Sequence, residues 1–159
     1  MNLNDDKLII RRALIDDVAD IVRVVNAGGP DGKPRKVLPD PLPATYVNTF
    51  HLINNDPNQW LMVAEYDGQL VGTFHLTYIT YLAGEGRSDA QVEAIHVRES
   101  HRGKGIGSAM LQWVIAEARK KNCRRVQLTT DKQRSDAHKL YQRQGFVFSH
   151  EGAKLYLDS

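Results

Sequence analysis

Hydrophobic residues along this chain follow two spacings, and each spacing predicts a different kind of element. Runs rich in β-branched and aromatic residues predict strands over 7–13, 60–66, 69–78, 91–97, 124–130, 146–149 and 154–157. Apolar residues at helical spacing predict helices over 16–26, 44–54, from 106 onward, and 135–144. Ser135 or Asp136 is expected to cap the last helix, and Gly145 to end it. The predicted order is β-α-α-β-β-β-α-β-α-β-β.

Residues 27–43 fit neither spacing and are predicted to form a loop. Five of the six prolines of the chain lie there: Pro30, Pro34, Pro39, Pro41 and Pro43. A loop this long in a small domain either serves the function or is simply mobile, and the sequence leaves both interpretations open.

The segment Gln91–Gln112, QVEAIHVRESHRGKGIGSAMLQ, joins a predicted strand to a predicted helix through a glycine-rich turn. Three glycines stand at alternate positions of this turn: Gly103, Gly105 and Gly107. Glycines allow the backbone to approach a ligand closely, and the start of the helix offers unpaired N–H groups and a positive dipole end. Because Arg102 and Lys104 add positive charge, the turn is predicted to bind a phosphate or a pyrophosphate.

Two common phosphate-binding motifs do not fit this turn. A Walker P-loop needs Ser or Thr directly after its lysine, but Gly105 follows Lys104. A dinucleotide fingerprint needs a last glycine where this chain has Ser108 or Met110. The ligand must therefore be sought in another class of phosphate-binding protein.

Two motifs of the chain resemble those of one family. Arg102-x-x-Gly105-x-Gly107 resembles the pyrophosphate loop of the GNAT superfamily of N-acetyltransferases. Ala137-x-x-Leu140-Tyr141-x-x-x-Gly145-Phe146 resembles the family's A-x-x-L/F-Y-x-x-x-G-F signature, at the expected separation. The predicted order of elements also matches that family, so the resemblance extends over nearly the whole chain.

The resemblance implies an α/β fold with a mixed α+β sheet, the GNAT-like acyl-CoA N-acyltransferase fold, as a single domain over residues 1–159. Its central sheet is mostly antiparallel with helices on both faces, and two parallel strands splay apart to admit the pantetheine arm. It implies transfer of an acetyl group from acetyl-CoA, the cosubstrate, to a primary amine of a small molecule, amino acid or peptide. The amine would attack directly in a ternary complex.

The same resemblance implies a set of residues that contact acetyl-CoA: Ile95, His96, Val97, Arg102, Gly103, Lys104, Gly105, Ile106, Gly107, Ser108 and Arg134. A backbone N–H around Ile95–Val97 would polarise the thioester carbonyl. Arg134 stands where many relatives have Asn, and it either pairs with a phosphate or lies in solvent.

Glu93 and Tyr141 match the family's catalytic positions. Glu93 would take the proton of the amine or, alternatively, bind its ammonium group or order solvent. Tyr141 would give a proton to the departing thiolate, the alternative being an aromatic ring that only packs. Strict alternation predicts two faces for the strand, with Glu93, Ile95 and Val97 on one and Val92, Ala94 and His96 on the other.

Composition limits the other functional classes. The net charge of +2, with no basic stripe, does not indicate a nucleic-acid partner. No apolar run approaches transmembrane length and the start MNLNDDKL is unlike a secretory signal, so a cytoplasmic location without a membrane partner is expected. The single Cys123 fits a reducing compartment. No metal is predicted, since Lys154 replaces the second histidine of an HExxH-like start at His150.

Three hypotheses follow from these observations. The first is the N-acetyltransferase, the second a non-catalytic acyl-CoA-binding sensor or partner module, and the third an unrelated phosphate-ligand domain. The presence of both Glu93 and Tyr141 favours the enzyme, because a pure binder needs neither. Dimers are frequent in the resembling family, which makes a homodimer one expectation, and the identity of the acceptor is left open.

Overall fold

The computed structural model describes residues 7–29 and 33–157, so the predictions for the first six residues and for residues 30–32 of the proline-rich loop lie outside it. Five strands form one sheet in chain order: β1 Leu8–Arg12, β2 Gln59–Tyr66, β3 Gln69–Thr80, β4 Ser88–Val97 and β5 Arg125–Leu128. Adjacent strands are antiparallel except β4 and β5, which are parallel. The predicted mixed, mostly antiparallel sheet is confirmed.

Helices cover both faces of this sheet, as predicted: α1 Val18–Ala27, α2 Thr45–Asn55, α3 Ile106–Lys120 and α4 Ser135–Arg143. On one face, α3 packs through Met110 and Val114 against side chains such as Phe74 of β3. On the other face, α1 and α2 pack through Ile21 and Phe50. Each large side chain buried in this way stabilises the fold by about 1.5–3 kcal/mol. No helix of the described residues is long and apolar enough to cross a membrane.

The parallel strands β4 and β5 pair over only part of their length. Asp89 to Val92 of β4 lie opposite Arg125 to Leu128 of β5, and β4 then continues to Val97. At the paired end the carboxylate of Asp89, which is fully buried, accepts hydrogen bonds from Arg124 and from Arg125. These bonds hold one end of the strand pair together. The other end opens into a gap, as the resemblance implied.

A bulge in β4 changes which residues face each side of the sheet. Glu93 lies opposite His75 and His96 lies opposite Thr73, so β4 has one more residue than β3 over this interval. Ala94 absorbs the extra residue with a positive φ of 51°. Because of this bulge, Glu93 and His96 share the face of α1 and α2.

The prediction from strict alternation is therefore wrong beyond the bulge. Val92, Ile95 and Val97 all pack into the core beneath α3. His96, which was expected to share a face with Val92, lies against Gly28 at the end of α1 instead. A single residue in a left-handed conformation has shifted the period of the strand, which the pattern of residue types does not reveal.

The two closing strands predicted over 146–149 and 154–157 are also wrong, because residues 144–157 form no strand. Two aromatic side chains of this segment, Phe146 and Phe148, pack on α4, whereas Tyr156 is exposed. The ring of Phe146 meets Tyr141 edge to face at 5.9 Å, and that of Phe148 lies 4.9 Å from His138. Gly145, with a φ of 88°, ends α4 as predicted and turns the chain back along it.

Candidate active site

One large cavity, of about 1090 Å³, opens where β4 and β5 diverge. Its wall is formed by the end of β4, the turn that follows, the start of α3, α4 and the end of α1. The residues predicted for acetyl-CoA and for the general acid meet in this wall: Ile95, His96, Val97, Arg102, Gly103, Lys104, Gly105, Ile106, Gly107, Ser108, Arg134 and Tyr141. Glu93 is not among the lining residues.

The turn between β4 and α3, residues 98–105, is called the glycine turn below. Gly105 has a φ of 88° and directly precedes α3, a conformation that side chains with a Cβ rarely adopt. The first hydrogen bond of α3 runs from the Ala109 N–H to the Gly105 carbonyl at 3.0 Å. The N–H groups of the residues between them therefore have no acceptor within the helix and are available to an anion.

Hydrogen bonds to the sheet hold the glycine turn in place. The Arg98 N–H donates to the Val71 carbonyl at 2.8 Å, and the Arg98 Nε donates to the Leu70 carbonyl at 2.7 Å. The Arg102 Nε donates to the Val97 carbonyl at 3.2 Å, which closes the turn on the end of β4. Arg98 also forms an ion pair with Asp20 at 3.6 Å. No carboxylate of the described residues lies within ion-pair distance of Arg102 or Lys104, so these two side chains keep their positive charge for a ligand.

Helix α4 packs closely against the start of α3. A Cβ on Gly107 would lie 3.1 Å from Leu140 Cδ2, so the glycine at this position allows the close approach of the two helices. The side-chain cap expected from Ser135 or Asp136 is wrong. The position before the helix is Arg134, and no side chain caps the first turn.

Tyr141 lies on α4 at the inner end of the cavity. Its side chain is only 7% exposed and its ring packs against Phe146. Burial raises the pKa of the Tyr141 hydroxyl, and nearby Arg134 opposes this shift in part. The hydroxyl is therefore protonated at neutral pH and can serve as a proton donor.

Two arginines meet the C-terminal end of α1, where Gly28 and Arg134 line the cavity and Arg35 lies next to them. Arg134 Nη2 donates to the Gly28 carbonyl oxygen at 2.5 Å, and Arg35 Nη2 approaches the same oxygen at 3.4 Å. A Cβ at residue 28 would overlap the imidazole of His96, so only glycine leaves room for this ring. Gly28, Arg35, His96 and Arg134 are called the α1 corner below.

His96 is held in the neutral form within this corner. The residue is 8% exposed. Burial lowers its pKa to about 4, and the positive charges of Arg134, Arg35 and Arg102 contribute to the shift in that order. A neutral imidazole at this position adds no further positive charge to the cavity.

The loop after α1 is folded back on the helix by Asn26. Its side-chain amide donates to the Lys36 carbonyl at 2.9 Å and accepts from the Lys36 N–H at 3.1 Å. The Arg35 N–H donates to the Asn26 carbonyl at 2.9 Å. Gly29 permits the fold, because a Cβ there would overlap the Lys33 carbonyl. These contacts bring Arg35 to the α1 corner.

Glu93 lies beside the cavity, on the face of the sheet that α1 covers. It is exposed and accepts a hydrogen bond from Gln91 Nε2 at 3.3 Å. His75 stands opposite Glu93 in the sheet, and burial lowers the pKa of His75 while Glu93 opposes that shift. Since Glu93 and His96 lie opposite residues two apart on β3, they are separated by about 7 Å along the strand.

Sequence reasoning did not identify Gly28, Arg35 or Asn26 as part of the site. In the sequence the pair Gly28-Gly29 indicates only that the helix predicted over 16–26 has ended, although both glycines allow close approach of other groups. Within residues 7–29 and 33–157, no three His, Cys, Asp or Glu side chains are grouped to hold a metal ion. The metal-free site stays a prediction.

Comparison with known proteins gives concordant results. A model of the acetyltransferase (GNAT) family matches residues 31–146. An aminoalkylphosphonate N-acetyltransferase of Salmonella typhimurium is 32% identical over 101 residues, which are 60% of this chain and 61% of that relative. The match thus spans less than two thirds of the curated relative.

Two solved structures resemble the whole fold. A protein from Bacillus halodurans named as a transcriptional regulator has a TM-score of 0.87 and 37% identity, covering 94% of this chain and 99% of that one. A protein from Agrobacterium tumefaciens named as an acetyltransferase has a TM-score of 0.82 and 24% identity, covering 93% of this chain and 99% of that one. The latter likeness concerns the fold alone.

Proposed function

Because the chain belongs to the GNAT family of acetyltransferases, we propose that it transfers the acetyl group of acetyl-CoA to a primary amine by direct attack in a ternary complex. One observation supports this most: the glycine turn, the end of β4 beyond its pairing with β5, and Tyr141 line a single cavity. A cavity that combines an anion-binding turn with a proton donor suits a phosphate-containing thioester. A homodimer, a cytoplasmic location and the lack of a nucleic-acid partner stay predictions.

The proposed contacts to acetyl-CoA follow from this arrangement. The pyrophosphate would take hydrogen bonds from the N–H groups at the start of α3, from Ile106 to Ser108, with Arg102 and Lys104 supplying positive charge. The pantetheine arm would lie in the gap along Ile95–Val97, whose backbone has no β5 partner in the sheet. A backbone N–H of the same stretch would stabilise the negative charge that develops on the thioester oxygen.

The transfer consists of one bond made and one bond broken. The lone pair of the amine nitrogen attacks the thioester carbon, and the carbon–sulfur bond then breaks with its electrons going to sulfur. The ammonium form of the acceptor must first lose a proton, because its lone pair is otherwise occupied. After the attack the nitrogen carries a positive charge and loses one further proton, while the departing thiolate gains one, so that the products are a neutral amide and a thiol.

We assign to Tyr141 the donation of a proton to the departing thiolate. Tyr141 is 7% exposed and burial raises the pKa of its hydroxyl, so the hydroxyl holds the proton until the thiolate forms. We assign to Glu93 a role at the acceptor's amine. Its carboxylate either takes a proton from the amine, directly or through water, or binds the ammonium group. The exposed carboxylate faces the α1 side, where the acceptor can enter.

For the acceptor, the Salmonella relative suggests an aminoalkylphosphonate as the first compound class to examine. The match to that protein covers 61% of its length, so the α1 corner of this chain has to be tested directly. Amino acids, polyamines and peptides with a free amine are the comparison set.

The experiment is acetyl-CoA-dependent thiol release with each acceptor class, for the wild type and Tyr141→Phe. Loss of a positioned proton donor typically costs about 10²- to 10⁴-fold in rate, so kcat of Tyr141→Phe should fall within that range. Tyr156→Phe is the matched control, because Tyr156 is 80% exposed and lies outside the cavity.

Full kcat in Tyr141→Phe at every pH would overturn the assignment of the acid. Binding of acetyl-CoA without transfer to any primary amine would overturn the proposed acceptor chemistry. The two results are distinguished by a thermal shift with acetyl-CoA, measured on the same samples.

A further inference from the structure

We propose that Arg134 and Arg35 form a subsite for an anionic group of the acceptor, with phosphonate as the first candidate. This inference rests on the proposed transfer to a primary amine and specifies its substrate class. The acceptor would then have an amine at one end and an acidic group at the other. Arg134 would serve the acceptor, and not a phosphate of acetyl-CoA.

The hydrogen bonds of the two arginines leave donors for an anion. An arginine has five N–H donors in a planar fork. Among the described residues, the Arg134 guanidinium makes one hydrogen bond, to the Gly28 carbonyl at 2.5 Å. The guanidinium of Arg35 donates to the Val25 and Gly28 carbonyls, each at the long distance of 3.4 Å. Both guanidinium groups thus contact only neutral oxygens, and most of their donors have no acceptor within residues 7–29 and 33–157.

The charge of this corner is not balanced by the part of the chain that the structure describes. No carboxylate there lies within ion-pair distance of Arg35 or Arg134. Two guanidinium groups converge on one oxygen although like charges repel each other. An anion between them would relieve this repulsion, and phosphonate and carboxylate oxygens match the guanidinium fork.

The α1 corner is connected to Glu93 through His96, which suits an acceptor with an amine at one end and an acidic group at the other. Glu93 and His96 share one face and are separated by about 7 Å along the strand. The His96 ring lies against Gly28, whose carbonyl oxygen accepts hydrogen bonds from Arg134 and Arg35. An acceptor with its amine near Glu93 and its acidic group near Arg134 would therefore extend past the neutral His96 ring.

The orientation of Arg134 argues against a cofactor role for its guanidinium. The glycine turn already offers the N–H groups of α3 and two cationic side chains to the pyrophosphate. The Arg134 guanidinium instead crosses the cavity to the end of α1, the segment that leads into the long loop before α2. Its charge thus faces the acceptor side.

The first test compares two acceptors with the same alkyl chain. One is a short aminoalkylphosphonate, and the other is the alkylamine that lacks the phosphonate group. Arg134→Gln and Arg35→Gln should lower kcat/KM for the phosphonate by on the order of 10- to 100-fold, the usual effect of losing a hydrogen bond to a charged group. The value for the plain amine should change much less, because Arg134 affects it only through the pKa of Tyr141, and the KM for acetyl-CoA should stay unchanged. Arg119→Gln is the control, an exposed arginine in the last turn of α3 outside the cavity.

The second test does not need turnover. Methylphosphonate is titrated into the protein saturated with coenzyme A, so that the glycine turn is occupied. The wild type and Arg119→Gln should bind it, and Arg134→Gln should bind it at least about tenfold more weakly. Melting temperatures of all variants, measured in parallel, identify any variant that fails to fold. Arg134→Lys keeps the positive charge but loses the planar fork of donors, so its affinity for methylphosphonate should be intermediate.

The outcomes separate this inference from the proposed function. If the wild type acetylates both acceptors alike and Arg134→Gln raises only the KM for acetyl-CoA, the subsite is wrong and the acetyltransferase stands. If no primary amine is acetylated yet methylphosphonate binds in an Arg134-dependent way, the proposed reaction is wrong and the anion site stands. Equal binding of methylphosphonate to the wild type and Arg134→Gln would overturn the subsite.

Discussion

The two sides of the cavity are built in different ways. The glycine turn comes from one continuous stretch, residues 98–105, whose hydrogen bonds go to β3 and β4 next to it. The α1 corner is assembled from separate places in the chain: Gly28 and Arg35 around the end of α1, His96 on β4, and Arg134 before α4. One side is a local structure, and the other exists only after the whole domain has folded.

This difference suggests how the two sides serve the proposed reaction. A ligand shared by all members of a family can be held by backbone N–H groups, which do not depend on side-chain identity. An acceptor that differs between members has to be recognised by side chains on a separate surface. The α1 corner, which includes the end of the long loop, offers such side chains, and it can change without disturbing the glycine turn.

The largest expected effect concerns His96 and acidic pH. Its folded-state pKa of about 4 lies below its ordinary value of 6.5, so between these pH values the unfolded chain binds a proton that the folded chain does not. The free energy of unfolding should therefore fall by about 3 kcal/mol as the pH decreases from 6.5 to 4. His96→Gln should remove that part of the decrease in urea unfolding, whereas exposed His150→Gln should not. Parallel pH profiles for the wild type and His96→Gln would contradict the account of the corner.

A second prediction tests the contact between Gly28 and His96. Gly28 has a φ of −86°, which alanine accepts, so a cost of Gly28→Ala has to come from the overlap with the imidazole. Overpacking a filled site typically costs about 1–3 kcal/mol. The same substitution in a His96→Ala background should cost close to nothing, as a double-mutant cycle would measure. An equal cost in both backgrounds would show that the ring is not the obstacle.

A third prediction compares two glycines with the same kind of backbone. Gly105 and Gly68 have φ values of 88° and 77°, and at neither would a Cβ meet an atom within 4 Å. Alanine at either position should lower the free energy of unfolding by about 1–2 kcal/mol. Only Gly105→Ala should weaken acetyl-CoA binding in calorimetry, on the order of tenfold, since Gly68 lies in the hairpin between β2 and β3. Equal affinities in the two variants would mean that the glycine turn does not hold the pyrophosphate.

The smallest expected effect comes from Asn26. Asn26→Ala removes two hydrogen bonds to the backbone of Lys36, which are exposed and contribute about 0.5–1.5 kcal/mol each at most. The KM for the acceptor should rise a few-fold because Arg35 is held less firmly, while the KM for acetyl-CoA should not change. Asn48→Ala, an exposed position on α2, is the control. If the KM for acetyl-CoA rose instead, the loop would serve acetyl-CoA binding and not acceptor binding.

The sequence predicted the local part of this molecule well. The helices, the first five strands, the glycine turn and Tyr141 in the cavity follow from spacing and from two short motifs. The bulge at Ala94 could not be predicted, because alanine has no tendency towards a positive φ. The strand predicted over 146–149 does not form, and Phe146 and Phe148 contact α4 instead, which depends on tertiary packing.

The α1 corner could not be predicted for a related reason. Arg134 and Gly28 are far apart in the chain, and nothing in either local segment indicates the hydrogen bond between them. The adjacent glycines after α1 were a usable signal, since two glycines in succession often mark close approach as well as the end of a helix. The face of His96 depended on the bulge, so the unpredicted conformation of Ala94 made the predicted face of His96 wrong.

The most direct test of the proposed reaction follows the acetyl group itself. The wild type is incubated with acetyl-CoA labelled in the acetyl group and a short aminoalkylphosphonate, and the products are analysed by mass spectrometry and NMR. The account predicts that the label appears on the amine nitrogen at the rate of thiol release, and that Tyr141→Phe slows both equally. Thiol release with the label in free acetate, and none on the amine, would contradict it.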